Sequence, residues 1–284
     1  MLHDGRQFLC QKFSMGRLVR TKQKVIGSGK SRALARPMKM LVLADPNGDL
    51  KEAYSEGIQI RDYIDQEKEL INTFLQTYNV TADYIRERIR NFDLIHFAGH
   101  HDYDQQNPEQ SGWRLTNGIF AAGDIMKMVG TASMPALVFS NGCQTARTEE
   151  WAISNNIQNE IYGLANAFLL AGVKHYIGTF WEVLDEPSRR FALEFYQHLL
   201  KGLTTGEAVR EARLAVIREY GEETIVWAGY LLYGDPLFNY MEQLKASQAL
   251  EPEEPSYVPL PETEVRSQEE VIDFAGRPEK KKIP

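Results

Sequence analysis

From about residue 38 to residue 232, short continuous apolar runs alternate with longer amphipathic stretches. The first run, Met40-Leu41-Val42-Leu43-Ala44-Asp45, stops at the turn Pro46-Asn47-Gly48, as a strand buried on both faces would. Leu94–Ala98, Ala136–Ser140, Val173–Phe180 and Trp227–Leu232 repeat the pattern. A helix of about 20 residues is predicted after the first strand, with Ile58, Ile60, Tyr63, Ile64, Leu70, Ile71 and Phe74 facing inward. A short helix follows over 81–90, capped by Thr81, and another near 124–128. Longer helices are predicted over 156–170, 187–201 (Pro187 in its first turn) and 205–219. Residues 101–117 read as a polar loop. Strands that alternate with helices predict a mostly parallel sheet covered on both faces.

The two ends lack this periodicity. Residues 1–37 read as a basic N-terminal arm or the remnant of an upstream element, 38–245 as one domain, and 246–284 as an acidic, Pro-rich disordered tail. Net charge is −7, yet residues 1–39 hold ten Lys/Arg against one acid, Asp4. No stacking aromatics or recognition helix accompany these charges, so the chemistry needs no nucleic acid. Gly27-Ser28-Gly29-Lys30-Ser31 has Lys24 where a phosphate-binding loop needs its first glycine, and Pro37 interrupts any following helix. No apolar run approaches the roughly 18 residues that span a bilayer, and no signal-like apolar region follows the N-terminus. Two cysteines, Cys10 and Cys143, make a poor disulfide framework. A reducing cytoplasm, in which Cys143 keeps its thiol, is the expected location.

In open α/β sheets functional groups gather at the carboxyl ends of strands. Two strands here end in reactive residues: Ile95-His96-Phe97-Ala98-Gly99-His100-His101 and Val138-Phe139-Ser140-Asn141-Gly142-Cys143-Gln144. If these strands are neighbours, His100 and Cys143 share one edge, and the imidazole can take the thiol proton. Glycines beside both let a substrate backbone approach and leave amides for an oxyanion. His96 lies within its strand and reads as a core histidine.

The motifs from Met38 to Tyr240 resemble those of the CHAT domain, a caspase-like family often attached to tetratricopeptide repeats. Leu43-Ala44-Asp45-Pro46 with Gly48-Asp49-Leu50 resembles its opening strand and turn. Ile95–His100 resembles its histidine motif, Leu137–Ala146 its cysteine motif, Gly178–Asp185 the next strand and loop, and Trp227–Pro236 the closing strand. The resemblance implies a caspase-like three-layer sandwich and cysteine-dependent peptide hydrolysis with no metal or organic cofactor. By motif position His100 is the general base and acid, and Cys143 the nucleophile. The backbone amides of His101 and Cys143 form the oxyanion hole. The family's usual glycine after the histidine is replaced by His101, whose side chain would crowd a substrate backbone. In related caspase-fold peptidases the loop holding Trp181, Glu182 and Asp185 lines the pocket for the residue before the cut; acids there predict a basic residue, with Asp185 favoured. The implied partners are a protein or peptide substrate and a regulatory protein or fused repeat domain, as in regulated bacterial assemblies, some of them in immunity.

The leading alternative is an inactive CHAT-fold interaction module. A metal site built from His96, His100 and His101 conflicts with strand alternation, which sends His96 and His101 to opposite faces.

Overall fold

A computed structural model describes residues 3–18, 32–104, 106–130, 132–144, 156–180 and 185–248, with side chains placed for all of these except 108, 143, 144, 156–162 and 185. These residues belong to one compact unit within Met1–Leu250.

Strand β1 (Met38–Ala44) is the predicted apolar run, and six of its seven residues are buried. It is followed by α2 (Lys51–Ile64), β2 (Ile71–Gln76), α3 (Ala82–Arg88) and β3 (Leu94–Asp102), with a single turn, α1 (Leu9–Lys12), ahead of it. A hairpin, β4 (Gly112–Leu115) and β5 (Gly118–Ala121), leads into α4 (Ala122–Lys127) and β6 (Leu137–Gln144). The chain continues through α5 (Asn156–Leu170), β7 (His175–Thr179), α6 (Asp185–Leu200) and α7 (Thr205–Tyr220). It closes with α8 (Val226–Gly229), β8 (Tyr230–Tyr233) and α9 (Tyr240–Gln248).

The main sheet runs β2-β1-β3-β6-β7-β8, parallel throughout except for the β7–β8 pair. One face packs Val42, Phe139 and Ile177 against Ile60, Phe195 and Val216 from α2, α6 and α7. The other packs Leu41, Phe97 and Val138 against Ile85, Ile125 and Phe168 from α3, α4 and α5. This is the three-layer α/β sandwich the alternating pattern predicts, because two-sided strands need an apolar layer above and below. Thr81 caps α3 by accepting from the Tyr84 amide at 3.2 Å.

Four expectations are corrected. The long helix after β1 ends at Ile64, and Ile71 and Phe74 belong to edge strand β2, registered as Met38↔Ile71. That strand is only half-buried, so its apolar positions also fit a helical spacing. The polar loop over 101–117 holds the first strand of a hairpin. β3 runs on to Asp102, and β4 pairs with it through His101↔Trp113. The closing strand begins at Tyr230, and the apolar residues Val226–Gly229 form a helical turn instead. Residues 3–18 are not a free arm. Phe8 packs on Trp227 at 5.3 Å between ring centres, and the backbone of Arg17 bonds both Leu232 and Gly234 at the β8 edge. The expected disordered tail lies, from residue 249 on, outside the described residues.

Candidate active site

Strands β3 and β6 are adjacent and parallel, and their register pairs Ala98 with Asn141, Gly99 with Gly142, and His100 with Cys143. Neighbouring strands lie about 4.8 Å apart, so the register alone makes positions 100 and 143 direct neighbours at the carboxyl edge. The His100 side chain is 14% exposed. Its Nε2 lies 3.3 Å from Oδ1 of Asp49, in the turn after β1. Its Nδ1 is buried and has no hydrogen-bond partner among the described residues.

The turn that carries Asp49 is held from within. Asp45, buried and with φ of 49°, accepts the amides of Asp49 and Leu50 on Oδ1, each at 2.9 Å. Its own amide bonds Ala98 of β3, which ties the turn to the strand bearing His100. Arg114 of β4 pairs with Asp102 and also feels Asp49, and both acids raise its affinity for the proton.

Alternation along β3 sends His96 and His101 to opposite faces. His96 is fully buried, with Nε2 2.9 Å from Glu56 and Nδ1 3.2 Å from the Tyr196 hydroxyl. Asn141 donates to both carboxylate oxygens of Glu56 at 2.9 and 2.8 Å, and accepts from the Tyr230 hydroxyl at 3.0 Å. Above this network opens a small cleft lined by Leu50, Glu52, Glu56, Gly99, Asn141 and Ser188. Glu52 is paired with Arg189 at 3.0 Å.

The departure at His101 resolves differently from the sequence expectation. Its ring turns into the opposite layer, stacks on Phe97 at 5.5 Å with planes 2° apart, and shares Ser140 Oγ with the Trp113 indole. Burial drives its pKa down to about 4, so the ring is neutral at pH 7. It therefore leaves the His100 face clear. The backbone of His101 is flanked by strand partners on both sides, Gln144 and Trp113.

Of the specificity residues expected from sequence, Asp185 opens α6, and its side chain is not among those described. Trp181 and Glu182 lie outside the described residues. No group of three or more His, Cys, Asp or Glu among the described residues could hold a metal ion. Sequence reasoning assigned no role to Asp49 or Glu56. Glu56 does carry a signal, since it falls in line with Ile60 and Ile64 on the inner stripe of α2.

A mostly parallel sheet between helical layers, with His and Cys strand tips side by side, defines the caspase-like class of α/β fold. The family model for the CHAT domain matches residues 1–235, and the chain belongs to that family. The fold is similar to gingipain R (RGPB), described as an Arg-specific cysteine proteinase, with a TM-score of 0.52 at 14% identity. That match covers 74% of this chain and 49% of the other. The complex of pro- and mature domains of Porphyromonas gingivalis RgpB gives a TM-score of 0.53 at 14% identity, covering 76% and 52%. The Saccharomyces cerevisiae separase–securin complex matches at 0.46 and 19% identity, covering 69% of this chain and 12% of that one. The chain thus spans about half of the gingipain chains and a small part of separase, and at these identities the likeness is one of fold. A search of curated proteins by sequence finds no match.

Proposed function

We propose that this chain is a cysteine endopeptidase with His100 and Cys143 as its catalytic dyad. The observation that carries the reading is the registered pair His100↔Cys143 on adjacent parallel strands, beside an imidazole whose Nδ1 has no hydrogen-bond partner among the described residues. In the proposed reaction the Cys143 thiolate attacks a peptide carbonyl, and the amides of His101 and Cys143 hold the oxyanion. His100 then passes its proton to the leaving amine, and water hydrolyses the thioester.

A basic residue before the cut is the proposed preference. Glu52 and Glu56 make the cleft acidic, but both already have partners. By family resemblance the residues assigned to an incoming cation are Asp185, favoured, and Glu182, together with Trp181. Control by a protein partner and a cytoplasmic, bacterial regulatory setting belong to the same proposal. The RgpB structure is a complex of pro- and mature domains, which supports partner control. Among the described residues no helix is long and apolar enough to cross a membrane.

The test is labelling by peptide acyloxymethyl ketones that differ only in the residue before the reactive carbon. The Lys or Arg probe labels the wild type, and Cys143→Ala abolishes the label. Labelling that survives Cys143→Ala removes the dyad, and equal labelling by the Leu or Asp probe removes the basic preference.

A further inference from the structure

We infer that Asp49 is a positioning residue for His100, which extends the proposed dyad by a third group. This rests on reading His100 and Cys143 as that dyad. The carboxylate lies 3.3 Å from Nε2, at ion-pair distance, and a carboxylate that accepts at that nitrogen selects the Nε2–H tautomer. The acceptor lone pair of the neutral ring then belongs to Nδ1, the buried nitrogen that no described group occupies. An acid on one side and a vacant acceptor on the other is the arrangement a general base needs.

Three features show that the contact is built into the fold. Asp45 clamps the amides of Asp49 and Leu50, so the Asp49 backbone is held rather than swinging with the turn. The Asp45 amide bonds Ala98, two residues before His100, so the acid and the base are tethered to one strand. A Cβ at Gly99 would stand 3.1 Å from Pro46 and 2.9 Å from the Phe97 ring, so the turn and strand tip approach closely only because glycine is there. The Asp49 side chain is 57% exposed and its ion pair among the described residues is with His100, so its substitution spares the fold.

The experiment follows alkylation of Cys143 by iodoacetamide near neutral pH, read by peptide mass mapping in the full chain. Asp49→Ala is expected to slow alkylation about tenfold. His100→Ala should slow it at least as much, and the double variant no further. Asp49→Asn, which keeps an acceptor but no charge, should fall between. Ring ¹⁵N shifts of His100 should report Nε2–H in wild type and a mixed tautomer in Asp49→Ala, a signature that a merely structural residue would not move. If His100→Ala slows alkylation and Asp49→Ala does not, the assignment of Asp49 fails while the dyad stands. If neither variant changes the rate, the dyad and the assignment both fall. An unchanged tautomer in Asp49→Ala overturns the assignment as well.

Discussion

The ring of His101 occupies the space that a side chain at Gly142 would need. A Cβ built on Gly142 would stand 2.8 Å from Cγ of that ring, inside van der Waals contact with a group held by stacking and a hydrogen bond. The residue before the candidate nucleophile and the residue after the candidate base are therefore one packing unit. Gly142→Ala should cost about 1–3 kcal/mol by overpacking. His101→Ala should cost about 3 kcal/mol for the lost ring and its bond to Ser140. Because removing the His101 ring relieves the clash at position 142, and the methyl added there partly fills the space the ring leaves, the double variant should be less destabilised than the sum. Denaturant unfolding of the three variants checks this, and strict additivity would mean the two residues do not share space.

Stability should fall as the solution is acidified from about pH 6.5 toward pH 4. Burial holds both His101 and His175 at a pKa of about 4, against an ordinary value near 6.5. In that window the unfolded chain binds protons that the folded chain refuses, so folding loses up to about 1.4 kcal/mol per pH unit for each ring. Above pH 6.5 these two rings contribute no slope. Unfolding free energies across the window, compared with His175→Gln, would show about half the slope in the variant. An equal slope in both would refute the assignment.

Glu56 links α2 to β3 and β6 through His96 and Asn141, and all three are buried. Glu56→Ala should strand three donor contacts and cost about 3–5 kcal/mol. Glu56→Gln keeps one acceptor oxygen and should cost about 1–2 kcal/mol. Asn141 stands two residues before Cys143, so both variants should also lower alkylation of Cys143. Thermal unfolding read alongside alkylation tests this; a fully stable Glu56→Ala would contradict it.

Asp45 adopts a positive φ and caps the next turn with its own carboxylate. Asp45→Asn tolerates that backbone and keeps the acceptor, so it should stay within about 1 kcal/mol of wild type. Asp45→Ala removes both amide bonds and should cost about 2 kcal/mol. It should also slow Cys143 alkylation, because the Asp49 turn is no longer held. An Asp45→Ala protein as stable and as reactive as wild type would show that the turn needs no such clamp.

Much of the architecture is legible along the chain. Two-sided strands such as Leu41-Val42-Leu43 and Ile95-His96-Phe97 announce themselves because a buried parallel strand has no polar face to show. Edge strand β2 escapes because its outer face meets water. Ile71 and Phe74 then fall at spacings that a helix would also use. The β4–β5 hairpin escapes because its strands are four residues long and open onto polar turns. Basic charge made residues 3–18 read as an arm, but Phe8 and the Arg17 backbone dock them on the β8 edge.

By itself the sequence determined the layered α/β class and the two reactive strand tips, since both depend on short-range patterns of apolar and polar residues. Only the tertiary structure decided that position 100 stands opposite 143, that His101 turns away from His100, and that Asp49 and Glu56 reach partners on other elements. His96 and Glu56 are 40 positions apart, and Asn141 and Glu56 are 85. Contacts of that range depend on which strands pair and in what register, and register is set by the packing of the whole sheet against both helical layers rather than by any one segment.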